Sequence, residues 1–402
     1  MAVKQGKRTG KAGRMAGVGL TAALLAAGLA LPAAAHAQGA GPVAPAAVTP
    51  DASVWRIDTP GVGDASVAVP ADVSTVGGTS VTVGYIRPAG TKGWAPLAAH
   101  YANGRWVPDT VPVPGGSAVA RLHQVQVTGA GQAWAAGYVS ADGTDRPWVT
   151  RWDGRAWTTV DTSALPSGIL YGLSGTANDL WAVGAADDGA LVAHWDGRAW
   201  TRVKLPVAPD GSAWDVGWYS AVAAAAADDV WVVGPENTSA HWDGRAWTRV
   251  AVPLGGDGAS VWLENVRASR TQGTWAVGYV VGQEREAIAL RWTGRAWERV
   301  PLPAGSAARQ LDDVAFTAAG PVAVGARNEP SAPIGEAGYA VRLPARPGQP
   351  ASPVTLPSGT EHLWGASTGE FGIGLRVVGT AQNPELSSTL PFTAWSPWIP
   401  AS

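Results

Sequence analysis

The chain has 402 residues, with 52 glycines, 31 prolines, 22 tryptophans, no cysteine and a formal net charge of −2. The missing cysteine excludes disulfides, thiolate metal sites and a lipid-modified cysteine. Without its first 37 residues the chain carries 24 basic against 31 acidic groups, about −7, which argues against nucleic acid or an anionic membrane surface as partner.

Those first 37 residues have their own pattern. Lys4, Lys7, Arg8, Lys11 and Arg14 form a basic region, residues 15–31 an apolar run, and Ala35-His36-Ala37 a small-residue cleavage motif. This is the layout of a secretory signal peptide, so the protein is expected to be secreted and extracellular, with no membrane insertion. Residues 38–53 are rich in Ala, Pro and Gly and read as a flexible leader. Residues 54–402 remain as one folded domain.

Within that domain, residues 241–247 read His-Trp-Asp-Gly-Arg-Ala-Trp. Close copies stand at 151–157, 194–200 and 291–297, and a weaker one at 100–106. Asp-Gly or Asn-Gly between apolar residues predicts a tight hairpin with a type I′ turn, in which both central residues need φ > 0. A second signature precedes each hairpin: Trp134-Ala135-Ala136-Gly137 and its counterparts at 181–184, 231–234 and 275–278, with weaker versions at 81–84, 322–325 and 376–379. The seven glycines, at 84, 137, 184, 234, 278, 325 and 379, are 44 to 54 residues apart. That period, with short apolar strands between turn residues, predicts an all-β fold: a single seven-bladed β-propeller with four antiparallel strands per blade. The blades fall at about 61–114, 122–166, 169–209, 214–254, 262–303, 311–357 and 362–399. The last lacks an outer hairpin, and residues 54–59 look like an orphan outer strand. The N-terminal strand is therefore expected to close the last blade and remove the open sheet edges, the alternative being a strand from 396–400.

Gly-Tyr after an apolar strand (Gly84-Tyr85, Gly137-Tyr138, Gly278-Tyr279), then Trp-Asp-Gly, Trp and Pro, resembles a kelch-type repeat. Val-Gly or Ala-Gly replaces the kelch glycine doublet, so the chain is identified as kelch-like, similar to the Trp-Asp-Gly-x-x-Trp repeats of secreted bacterial propellers. The resemblance implies the fold and leaves the function open.

The signature tryptophans are expected between blades, where each buries a large area. The candidates for function lie outside the repeat. Trp214, Trp218, Trp262 and Trp364 precede or open innermost strands, on the face where propellers present ligands. His123, Tyr171, Tyr219 and His362 fall in similar places. Glu264 and Asp312, with Asp215, Asp313 and Glu361, supply polar groups. These residues read as an aromatic platform for a glycan, or alternatively as a plug of the channel. The polar second-to-third-strand loops (142–146, 187–188, 236–237, 283–286) open on the same face. His100, His194 and His241 share a position with Arg151 and Arg291, which points to the half-exposed flank of a strand and not to metal. No metal or cofactor is expected. The absence of cysteine excludes a Tyr–Cys copper oxidase. The hairpins do not match the sialidase box, and the chain has no Gly-x-Ser-x-Gly elbow, phosphate loop or His-Glu-x-x-His. Binding is favoured over catalysis: lectin-like recognition first, then an extracellular protein partner, with the chain as monomer or as subunit of a secreted hetero-complex. A polysaccharide hydrolase or lyase using Asp215, Glu264, Asp312 and Glu361 is the enzymatic alternative.

Overall fold

The computed structural model describes residues 55–115, 117–205, 217–253, 259–282, 284–304, 307–332, 335–344, 346, 349–369, 374–383 and 388–396. The expected signal peptide and leader, Trp214, Asp215 and residues 397–400 lie outside them. The described residues form seven four-stranded antiparallel sheets and no helix. Their innermost strands are Val67–Val76, Val119–Gly129, Gly168–Thr176, Ala221–Ala226, Ser260–Ser269, Ala308–Thr317 and Thr360–Thr368. Each contacts the next, and the seventh contacts the first, so the ring is closed. This is the predicted seven-bladed β-propeller. Blades are numbered here by their innermost strands.

The closing strand is also as predicted. Arg56–Ile57 pairs with the third strand of blade 7, Arg56 opposite Trp395 and Ile57 opposite Ala394. Trp55 is buried and donates its indole N–H to the carbonyl of Thr355 at 2.8 Å. The third strand, Ser388–Ser396, therefore takes its partner from the N-terminal side, not from residues after 396.

Packing between blades follows the repeat. The signature tryptophan of one blade inserts against the outer strands of the next: Trp181 meets Trp247 at 5.5 Å and Trp231 meets Trp297 at 5.1 Å, both edge to face. The interior rows of both blades join these contacts, as Trp231 and Val233 do with Leu263, Ile288 and Leu290. His194 and His241 lie over Trp181 and Trp231 at 4.4 and 4.2 Å, and Arg151 and Arg291 cover Trp134 and Trp275 in the same role. A flat cationic or aromatic cover is what the position requires, which is why His and Arg alternate there.

The hairpin turns differ from the expectation. Only the weak copy, Asn103-Gly104, has two positive φ values (52° and 77°) in a two-residue turn. In the strong copies Trp152 pairs with Trp157, Trp195 with Trp200 and Trp242 with Trp247, leaving four-residue loops in which glycine alone has positive φ. The aspartate shapes the loop: Asp153 Oδ1 accepts the backbone N–H of Arg155 and of Ala156, each at 2.9 Å. Asp196 and Asp243 do the same. Asp-Gly here encodes an Asx-type loop, not a type I′ turn.

The seven repeat glycines answer to a β-bulge. In six blades the pairing of the innermost strand skips one residue beside the repeat glycine: Ala71, His123, Tyr171, Glu264, Asp312 or Trp364. Ser220 holds the equivalent place in blade 4, where Gly234 faces the Trp218 carbonyl. The bulge presses a carbonyl onto the facing glycine. A Cβ at Gly137, Gly184, Gly278 or Gly379 would lie 1.9 Å from the oxygen of Arg121, Ile169, Trp262 or His362. Only glycine tolerates that approach, and the bulge re-aims the skipped residue towards the central channel.

Candidate functional site

The bulge makes a ring of seven residues that share a backbone position and no chemistry: Ala71, His123, Tyr171, Ser220, Glu264, Asp312 and Trp364. The ring sits towards the upper face, where innermost strands begin and second-to-third-strand loops lie. The Trp-Asp-Gly loops are at the opposite end. In blades 1, 2 and 6 the next residue along the strand ties the blade to its neighbour. Asp72 accepts the N–H of Val125, Gln124 that of Leu173 and Asp313 that of Ala366, at 2.9, 2.6 and 2.9 Å. Arg267 donates twice to Asp313 at 3.2 Å and comes within 3.9 Å of Asp72. Burial raises the Asp72 carboxyl to about 7, against the pull of Arg267. This buried ionic layer crosses the channel below the ring.

In blades 6 and 7 the ring residue Asp312 joins a hydrogen-bonded network. The carboxylates of Asp312 and Glu336 flank His362, with Nε2 at 2.9 Å from Asp312 and Nδ1 at 3.2 Å from Glu336. The Gln310 amide donates to Asp312 at 2.9 Å and accepts from Arg285 at 2.6 Å, and Arg309 pairs with Glu336. Trp364 stacks on His362 with centroids 3.6 Å apart and planes 12° apart. Burial alone would lower the His362 pKa, yet Asp312 and Glu336 together lift it to about 9, so the ring is an imidazolium that donates from both nitrogens. Glu264 moves the other way. Burial, with Asp312 adding to it, raises its carboxyl to about 8, which keeps it protonated at neutral pH. Glu361, raised to about 7 chiefly by burial, has one carboxyl oxygen buried with no hydrogen-bond partner among the described residues.

The opposite side of the mouth, in blades 1 to 3, is aromatic and cationic. His123 stacks on Tyr171 at 5.5 Å and touches Tyr138 and Tyr85. Its Nδ1 lies 2.9 Å from the Leu170 carbonyl, which can only accept, so Nδ1 carries the proton. Burial lowers its pKa to about 4 and leaves the ring neutral. Beside it Trp94 meets Tyr85 edge on at 5.2 Å, with the guanidinium groups of Arg87 and Arg121 at 4.2 and 4.3 Å from its centroid. Between the two sides, Trp218 and Trp262 meet edge to face at 5.7 Å, and Trp262 packs on Tyr279.

No protein-family model matches the chain, and no curated protein matches it in sequence. Solved structures do. A YCF48 bound to a D1 peptide superposes with a TM-score of 0.54 at 12% identity, over 86% of this chain and 97% of that one. YCF48 from Cyanidioschyzon merolae gives 0.53 at 13% identity, over 86% and 99%. The likeness is one of fold.

Of the residues proposed from the sequence, His123, Tyr171, Trp218, Trp262, Glu264, Asp312, His362 and Trp364 surround the mouth. Tyr219 does not reach it. It is buried between blades 3 and 4 against Trp181 and Val222. Trp214 lies outside the described residues. The second-to-third-strand loops are less open than expected. Asp142-Gly143 is a two-residue turn, Asp188 pairs with Arg202, and Asn237 exchanges hydrogen bonds with Val261 of the next blade. Among the described residues of these loops, only Arg285 joins the network at the mouth. The sequence reading missed Tyr85, Arg87, Trp94, Arg121, Tyr138 and Glu336. The Gly-Tyr dipeptides were in view as a mark of the repeat, and their tyrosines at 85, 138 and 279 are in fact mouth residues.

Proposed function

We propose that the protein is a secreted binding propeller whose upper mouth takes a segment of an extracellular polypeptide. The observation that carries this reading is the state of the mouth's aromatic rings. A glycan platform needs a free ring face for sugar C–H groups. Here Trp364 lies flat on His362 and Trp94 is engaged by two guanidiniums and Tyr85. What the mouth offers instead is a set of polar groups fixed in advance, the arrangement that lowers the ordering cost of binding a flexible segment. Propellers of this architecture include YCF48, one structure of which holds a D1 peptide. Lectin-like recognition is the second reading, favoured by the partly exposed edge-to-face pair Trp218 and Trp262. The Gly-Tyr and Trp-Asp-Gly pattern supports a kelch-like origin for the repeat, and the first 37 residues support export.

Panning of a random-peptide display library on the purified protein, in parallel with a glycan array, tests the reading. Enriched peptides should bind with Kd near or below ~10 μM and lose about tenfold on Trp262→Ala, and neither should change on Arg155→Ala in a lower loop. Glycan binding without peptide enrichment overturns it. Appearance of the chain in culture supernatant, with its N-terminus at or near residue 38, tests export.

A further inference from the structure

We propose that Arg87, Trp94 and Arg121 form a carboxylate-binding subsite, which anchors an acidic side chain of the bound polypeptide. This rests on the polypeptide reading above and names what the segment must carry.

The subsite is built by the chain. The connection after the second strand of blade 1 is exposed at residues 89–92 and turns inward at its end. It folds onto blade 2, where the Trp94 N–H donates to Ala118 at 3.2 Å and the Trp94 carbonyl accepts from Ala120 at 2.9 Å. Gly93 permits this, since a Cβ there would lie 2.5 Å from the Ala118 oxygen. Trp94 is thereby fixed over the junction of blades 1 and 2. Arg87 reaches it from the end of the second strand of blade 1, and Arg121 from the innermost strand of blade 2. Arg121 also lies over Tyr85 at 4.7 Å.

Both guanidiniums are half-buried and lack a counter-charge. Among the described residues neither has a carboxylate within 4.0 Å. The Nε of each is buried with no hydrogen-bond partner. Asp145, whose field reaches Tyr138, forms no ion pair with either arginine. Four other arginines on this face are paired: Arg202 with Asp188, Arg299 with Glu286, Arg309 with Glu336 and Arg327 with Glu329. Two cations held against one indole, each with an unused Nε donor, concentrate positive charge that an anion at the mouth offsets. A planar carboxylate matches the fork of a guanidinium. Stacking on Trp94 fixes the planes of the two groups, so less freedom is lost on binding.

The test is calorimetric titration of the purified protein with a Glu-rich dodecapeptide, its Gln twin, succinate and inorganic sulfate, at low and at physiological salt. The acidic peptide should bind at least ~10-fold tighter than its twin, with the difference narrowing as salt rises. Arg87→Gln/Arg121→Gln should remove the preference, and Arg295→Gln, in an exposed lower loop, should keep it. Equal binding of the two peptides overturns the proposal, and this comparison needs no variant. Retention of the preference in a folded double variant, or sulfate binding as tightly as the acidic peptide, also overturns it. If display-selected peptides bind with no acidic preference, the polypeptide reading stands and the subsite falls. If no peptide binds, both fall.

Discussion

Asp58 and Arg376, 318 positions apart, meet at 3.1 Å across the closure of the ring. The Arg376 side chain is 1% exposed and lies over the rings of Tyr101 and Trp106 from blade 1, at 4.2 and 5.0 Å. Thr393 of blade 7 accepts the Trp106 indole N–H at 2.9 Å and bonds Asp58. The N-terminal segment, blade 7 and blade 1 are thus joined at one buried ion pair. Removing one partner leaves the other charge buried and uncompensated. Asp58→Ala should lower stability by ~3–5 kcal/mol in denaturant unfolding. An unchanged midpoint would show that closure rests on Trp55 and strand pairing alone.

The repeat glycines should be intolerant of a single methyl group. Gly137→Ala and Gly278→Ala place a Cβ against a backbone oxygen that no rotamer change can relieve. Each should cost ~3 kcal/mol or more, towards the upper end for overpacking. Gly294→Ala, at φ 90° in an exposed lower loop, should cost only ~1–2 kcal/mol, the price of a left-handed conformation for an L residue. Thermal unfolding of the three variants side by side decides it.

Stability should decline as pH rises from about 5 to 9. Glu264 has a folded pKa of about 8, above its ordinary 4.5. Between those values the unfolded chain releases a proton that the folded chain keeps, so the folded state loses ground as pH rises. His362, at about 9 against 6.5, contributes stability that is complete below 6.5 and lost by about 9. Asp72 and Glu361, both raised to about 7, act in the direction of Glu264. Glu264→Gln should flatten the profile between pH 4.5 and 8, and His362→Gln above 6.5. A wild-type profile that rises across this range would contradict the charge states assigned to the mouth.

The cover over the signature tryptophan should be exchangeable between blades. Arg291 lies over Trp275 at 5.5 Å, where blade 4 places His241 over Trp231 at 4.2 Å. His241→Arg should stay within about 1 kcal/mol of the parent, because the guanidinium can take the same place. Trp231→Ala should cost ~3–5 kcal/mol, since it empties a site buried between blades 4 and 5.

The scaffold was legible in the chain because it is written several times. Spacing of the seven glycines set the blade count, and residues 54–59 read as a strand without a sheet. The turn type was misread because the role of Asp153 depends on where its carboxylate points, not on the Asp-Gly pair. The mouth was half legible. Trp262, Glu264, His362 and Trp364 sit on innermost strands, so their place along the repeat located them. Arg87 and Trp94 belong to a second strand and the loop after it, and enter the mouth only because Gly93 lets that loop fold inward. Tyr219 was misplaced by one residue: Ser220 occupies the bulge, and its neighbour turns into the core.

The bulge separates two duties along three of the innermost strands. In blades 1, 2 and 6 the skipped residue addresses the channel while the one after it bonds the next blade. Exchanging Glu264, Asp312 or Trp364 therefore rewrites the mouth without cutting those seams. Seven such positions around one axis make a combination lock, whose setting can change one wheel at a time while the case stays shut.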